Sequence, residues 1–214
     1  MPAPLESLKK IYEAKKAQIK KQLHSFRRVF SESDERIFEE LCFCLLTPQS
    51  KAKKCDGAVR TLSNSGFLLN GTEEQIKNTL RKCVRFHNNK ARYILNARKL
   101  FTEDGRLRIK KLLAEHKTNI ELRDWLVENV KGVGMKEASH FLRNIGNGKN
   151  LAILDRHIMK NLKELGVVES TEIASMKKYL EYEKRMRAFS KRIGIPLEEL
   201  DLLLWSEETG EIFK

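Results

Sequence analysis

The chain has 214 residues and sets 42 Lys+Arg against 29 Asp+Glu, a formal charge of +13, with 41% hydrophobic and 33% charged residues. That excess exceeds what solubility demands and points to a polyanionic partner, nucleic acid before an anionic membrane surface, with a lysine-rich thermostable surface as the plainer reading. No segment approaches the roughly 18 consecutive apolar residues of a membrane span. The opening Met1-Pro2-Ala3-Pro4-Leu5-Glu6 lacks the basic-then-apolar order of a signal peptide, so a cytoplasmic protein without a membrane partner is expected.

Only four prolines and eleven glycines punctuate the chain, and apolar residues recur at three-and-four spacing, which predicts an all-α protein. Leu5 to about Phe30 reads as one basic amphipathic helix. Ser33-Asp34-Glu35 opens a second with an acidic first turn, running Ile37, Phe38, Leu41, Leu45 to a stop before Pro48. Ser50 starts a third, through about Leu62 and closed by Gly66. Thr72 to Gln75 has the capping-box form and begins a helix ending near Cys83, and Asn88 to about Phe101 makes another, closed near Gly105. A shorter helix covers Leu107 to Glu115, and Thr118 to Glu121 is a second capping box, whose helix carries Leu122, Trp125, Leu126 and Val130 toward Gly132. No repeat or long linker separates these elements, so they form one body, in two lobes with a cleft.

The cysteines, Cys42, Cys44, Cys55 and Cys83, include no C-x-x-C pair. On a helix Cys42 and Cys44 point about 200° apart, which argues against a shared metal. All four read as reduced. His24, His87 and His116 are scattered, and no catalytic triad or zinc set can be assembled.

Chemistry concentrates at Lys131-Gly132-Val133-Gly134-Met135-Lys136. Gly132 and Gly134, two apart, allow a sharp turn with φ > 0 that exposes amides at the positive end of the next helix and suits a phosphate, although a plain helix–helix turn has the same pattern. Lys136 falls in the first turn of that helix, where the dipole, Lys131 and desolvation all favour the neutral, nucleophilic amine. Nineteen residues later Asp155 precedes Arg156-His157-Ile158 and caps another helix, whose amides favour the ionised carboxylate. An amine and a carboxylate in a cleft fit attack at a sugar C1′ that develops cationic charge. Taken alone, Lys136 reads equally as a solvated lysine and Asp155 as a cap.

Val130 to Lys136, with Asp155 nineteen positions on, resembles the helix-hairpin-helix and Gly/Pro/Asp signature of the base-excision DNA glycosylase superfamily, with lysine at the bifunctional position. Leu46-Thr47-Pro48-Gln49-Ser50-Lys51-Ala52, Arg85-Phe86-His87-Asn88-Asn89-Lys90-Ala91 and the segment from Trp205 to Lys214 resemble the archaeal-type 8-oxoguanine DNA N-glycosylase/AP lyase, over nearly the whole chain. The resemblance implies a two-lobed helix-hairpin-helix DNA glycosylase fold with a central helical barrel and a lobe from both chain ends. The expected parts are residues 1–32, a barrel at 33–155 with the hairpin at 122–146, and 156–214. It further implies a monomer acting at the nucleoid on double-stranded DNA that contains oxidised guanine. Lys136 would attack C1′, form a Schiff base and cut by β-elimination 3′ to the lesion, with Asp155 stabilising the sugar cation.

Taken alone, Trp205 reads as a buried core tryptophan; the same resemblance assigns base recognition to it, stacked on the flipped base, and to Lys214 at its edge. Asp201, one turn before Trp205, shares its helix face. Phe86 reads as an apolar wedge among the phosphate-binding groups Arg85, His87 and Lys90, with a helix-end core residue as the alternative. Gln49 would contact the opposite base or the gap, or be a loop amide. Together with Gly132 and Gly134 these residues make up the expected DNA contacts. No cofactor and no metal side-chain site is implied: the four-cysteine iron–sulfur loop of the endonuclease III branch is lacking, because no cysteine follows Cys83. Carbonyls near Glu128, Val130 and Val133 are expected to hold a monovalent cation against a DNA phosphate. His140 stands where the human-type branch has a cysteine. His157 is read as structural. An oxidised-pyrimidine glycosylase/AP lyase, or a non-catalytic helix-hairpin-helix DNA-binding module, are the competing readings.

Overall fold

A computed structural model describes residues 3–214, in which twelve α-helices and one two-stranded ribbon account for the regular structure. The chain divides into two compact units, one comprising the stretch up to Arg28 with Leu142–Lys214, the other Val29–Phe141.

The Val29–Phe141 unit is built around α2 (Asp34–Leu46). Ser33 caps it by accepting from the Arg36 amide, and every residue from Glu40 to Leu46 is buried. A helix apolar on nearly all sides must be enclosed, and α3 (Ala52–Asn64), α6 (His87–Leu100) and α7 (Ile109–Ala114) pack on it. The one-turn α4 (Phe67–Asn70), which the spacing does not predict, follows left-handed Gly66. Both expected capping boxes form, Thr72 with Gln75 ahead of α5 (Glu73–Leu80) and Thr118 with Glu121 ahead of α8 (Asn119–Asn129). Gly105 does not close α6 as expected. Asp104 and Gly105, at φ 50° and 74°, turn a hairpin between β1 (Thr102–Glu103) and β2 (Arg106–Leu107). Positive φ at both central residues matches strand twist, so Asp-Gly gives a ribbon rather than a helix end.

The other unit takes α1 (Ala3–Val29) up to Arg28, the end of α9 (Met135–Asn144), α10 (Arg156–Glu164), α11 (Met176–Ile193) and α12 (Leu197–Thr209). Leu8, Tyr12, Ile19, Leu23 and Phe26 form the buried stripe of α1. Tyr12 Oη donates to Glu199 Oε2 at 2.7 Å and Arg27 pairs with Glu198 at 2.7 Å, fastening α1 to α12. The boundary between the units falls inside α9 rather than at the expected residue 155. The reason lies in the buried stretch 151–154: the Ala152 amide donates to Glu183 Oε1 at 2.8 Å, and Tyr179 Oη donates to the Ala152 carbonyl at 2.6 Å, which commits it to α11. Cys42, Cys44 and Cys55 are buried thiols and Cys83 is half-buried. No helix among the described residues is long and apolar enough to cross a membrane.

Candidate active site and DNA-contacting elements

The hairpin between α8 and α9 turns at Gly132, whose φ is 91°. A side chain there would run into the ring of Tyr93 on α6, so glycine is required by both conformation and space. Gly134 differs from expectation. Its φ is not positive, and its amide donates to Glu137 Oε2 at 3.2 Å, the second half of a capping box at the start of α9. The Val133 amide likewise goes to the Val130 carbonyl at 3.0 Å. Among the described residues no cluster of His, Cys, Asp or Glu could hold a metal ion.

Lys136 lies in the first turn of α9 with its side chain 22% exposed. Its Nζ donates to Thr47 Oγ1 at 3.2 Å and stands 3.1 Å from Glu137 Oε1. To the dipole, Lys131 and desolvation expected around this amine the structure adds a carboxylate on α9, which bridges the amine and the Gly134 amide. Thr47 in turn donates to the Cys44 carbonyl at 2.9 Å, leaving its oxygen free to accept from the lysine.

Gln49 and Phe86 both adopt left-handed backbone, at φ 53° and 57°. Phe86 is 53% exposed, which removes the core alternative, and the Arg85 guanidinium lies 5.5 Å from its ring centre. Lys90 is not the phosphate-binding group expected. It shares the buried face of α6 with Ala91, Ile94 and Ala97 and is 3% exposed. Its Nζ donates to the Leu46 and Pro48 carbonyls, both at 2.7 Å, and to Ser50 Oγ at 3.0 Å. Burial above all, with Lys136 and Arg85 nearby, brings this amine down to about 8. The Cys55 thiol donates to the same Leu46 carbonyl at 3.2 Å, and burial pushes it up to about 11.

In the other unit Asp155 caps α10, its Oδ1 accepting from the His157 and Ile158 amides at 2.8 and 2.9 Å. His157 Nδ1 lies 3.8 Å from Glu208, which Lys160 pairs at 2.9 Å and holds below the usual carboxylate range. Asp201 is buried, and its Oδ2 accepts from Arg143 at 3.1 Å. The expectation of a shared face with Trp205 holds only in register, since Asp201 turns inward to that pair while Trp205 stays half-buried, its ring centre 6.4 Å from that of Phe213 at 30°. Lys214 is half-buried as well. The structure thus gathers Lys136, Gly132, Gly134, Gln49 and Phe86 in the Val29–Phe141 unit, and Asp155, Asp201, Trp205 and Lys214 in the other. Thr47 and Arg143 were missed in the sequence because each acts through a partner distant in the chain, and Glu137 because a capping box with glycine at its N-cap lacks the Ser or Thr half of the signature.

A helical chain in which a glycine turn packed on an aromatic ring leads into a helix with a lysine in its first turn is a helix-hairpin-helix protein. A family model described as 8-oxoguanine DNA glycosylase matches residues 19–195. The 8-oxoguanine DNA glycosylase/AP lyase of Fusobacterium nucleatum is 42% identical over 209 residues, covering 97% of this chain and 96% of its own. The protein of the same name from Methanocaldococcus jannaschii is 36% identical over 97% of this chain and 99% of its own. Two crystal structures superpose with TM-scores of 0.87: the 8-oxoguanine DNA glycosylase of Thermotoga maritima, 32% identical, covering 98% of each chain, and the M. jannaschii 8-oxoguanine glycosylase/lyase bound to DNA containing 8-oxoguanine, 33% identical, covering 98% of this chain and 100% of the other. The chain belongs to the 8-oxoguanine DNA glycosylase family.

Proposed function

We propose that this protein is a bifunctional base-excision repair enzyme that removes 8-oxoguanine from duplex DNA and then cuts the strand. The observation that carries the residue assignment is Lys136, held in the first turn of α9 beyond the Gly132 turn and aimed by Thr47. Its nitrogen forms a bond to C1′ as the bond from C1′ to the base breaks, and the base leaves with the electron pair. Loss of protons from nitrogen and opening of the sugar ring give the Schiff base. The imine withdraws electrons, a proton leaves C2′, and the bond from C3′ to its phosphate oxygen breaks, so the phosphate departs 3′ to the lesion. Asp155, fixed by two amides, is the carboxylate that stabilises the cationic sugar.

The charge of +13 draws the protein to DNA, and base identity is read elsewhere. Trp205 supplies an aromatic face for the extruded purine and Lys214 donors for its edge. Asp201 contributes through Arg143. Phe86, exposed at a loop tip, enters the stack, and Gln49 faces the base left behind. A cleavage assay across duplexes carrying 8-oxoguanine, oxidised pyrimidines, an abasic site or no lesion tests this. Preferential cutting at 8-oxoguanine is expected, and preference for an oxidised pyrimidine or binding without turnover would overturn it.

A further inference from the structure

The bonds made by Lys90 and Ser50 join two loops that are otherwise separate in the chain. An ammonium has three N–H groups, and all three of Lys90's find acceptors on residues 46–50. Ser50 Oγ, one of those acceptors, also accepts from the Arg85 amide at 3.0 Å. What these bonds enclose is specific. Gln49 lies between the gripped Pro48 and Ser50, Phe86 directly follows the gripped Arg85, and Thr47, the partner of Lys136, lies between the gripped Leu46 and Pro48. Both tips are in left-handed backbone, which residues other than glycine keep only where surrounding bonds hold them.

We infer that Lys90 and Ser50 form a clamp that holds the Gln49 tip, the Phe86 tip and the Thr47 contact to the nucleophile as one rigid element, which makes both of them positioning residues for base extrusion. The inference rests on the function proposed above. Inserting side chains into a duplex already has to meet the free energy of unstacking, and a tip that must also be ordered on arrival has more to overcome. A preset pair of tips avoids that second term and reaches both strands in a fixed geometry.

Ser50→Ala removes the bond from the Arg85 amide and one of the three from Lys90, while leaving the two carbonyl bonds of Lys90. Ser50→Thr keeps the hydroxyl. Each is compared with the unaltered protein on duplexes carrying 8-oxoguanine, with 2-aminopurine opposite the lesion to report unstacking. In Ser50→Ala the 2-aminopurine signal is expected to diminish and single-turnover excision to fall about tenfold, with affinity for undamaged duplex within about twofold, and Ser50→Thr is expected to recover most of the loss. Faster exchange of the amides at positions 50 and 85 is expected in the free Ser50→Ala protein, and this readout is independent of any activity. Lys90→Met should lose more, and if it fails to fold the Ser50 pair still decides. The clamp is overturned if Ser50→Ala matches the unaltered protein in exchange and unstacking, or if Ser50→Thr is as impaired as Ser50→Ala. An unaltered protein inert on every lesion would instead overturn the functional reading, while the exchange data still rule on the clamp.

Discussion

Lys136 Nζ donates to Thr47 Oγ1 at 3.2 Å, tying the amine proposed as nucleophile to a loop 89 residues earlier in the chain. Borohydride reduction of the Schiff base should therefore leave a covalent protein–DNA adduct with lesion duplex. Lys136→Gln, one atom shorter, keeps an uncharged hydrogen-bond donor but has no nucleophilic amine, so the adduct should vanish while undamaged duplex is still bound. Undiminished trapping by this variant would place the nucleophile elsewhere.

The Arg143–Asp201 pair is buried on both sides. Removing one partner of such a pair strands the other charge, so Asp201→Ala should lower the unfolding free energy by about 3 kcal/mol in urea titrations. A loss below about 0.5 kcal/mol would show the pair to be as weak as one on the surface.

Lys90 gives a pH signature. Burial holds its folded value at about 8, whereas the unfolded chain keeps that proton to about pH 10.4. Between those values the unfolded state binds more protons, so the contribution of Lys90 to stability rises with pH, and below pH 8 the full penalty of burying its charge is present. The unfolding free energy of the unaltered protein minus that of Lys90→Met should rise by about 3 kcal/mol from pH 8 to 10.4. A difference that stays flat across this window would mean that Lys90 titrates normally.

Trp205 is half-buried and paired with Phe213, which leaves part of the indole accessible. Stacking of one base on an aromatic ring is worth about 1–3 kcal/mol, so Trp205→Ala should reduce 8-oxoguanine excision by roughly 5- to 150-fold. Binding to undamaged duplex depends on phosphates and should be unaffected. With about six phosphates neutralised, it should weaken roughly a thousandfold between about 50 and 200 mM salt for both proteins, as fluorescence anisotropy can measure. Equal loss on damaged and undamaged duplexes would assign Trp205 to the core.

What was legible in the sequence was mostly local. Ser33, Thr72, Thr118 and Asp155 announce their helices because a cap bonds to amides two or three residues away, and all four do so. The place of Lys136 in a first turn was legible because the glycine turn and the lysine are neighbours. Lys90 was misread, since its charge suggested solvent; its place on the Ala91, Ile94 and Ala97 face of α6 was the signal that it turns inward. Asp201 was placed by helical register alone, which cannot reveal that Arg143, 58 residues away, takes its carboxylate. Gly132 was read for its backbone freedom, but the ring of Tyr93 that fills the space beside it comes from another helix.

The ribbon tip at Asp104 and Gly105 also has a practical consequence. Both residues are exposed, and nothing lies within 4 Å of where a Gly105 side chain would begin. A short peptide spliced between them enters open solvent and lengthens a turn without disturbing α2. That gives a chemical handle for tethering the protein to a surface or carrying a dye while its movement along DNA is watched one molecule at a time.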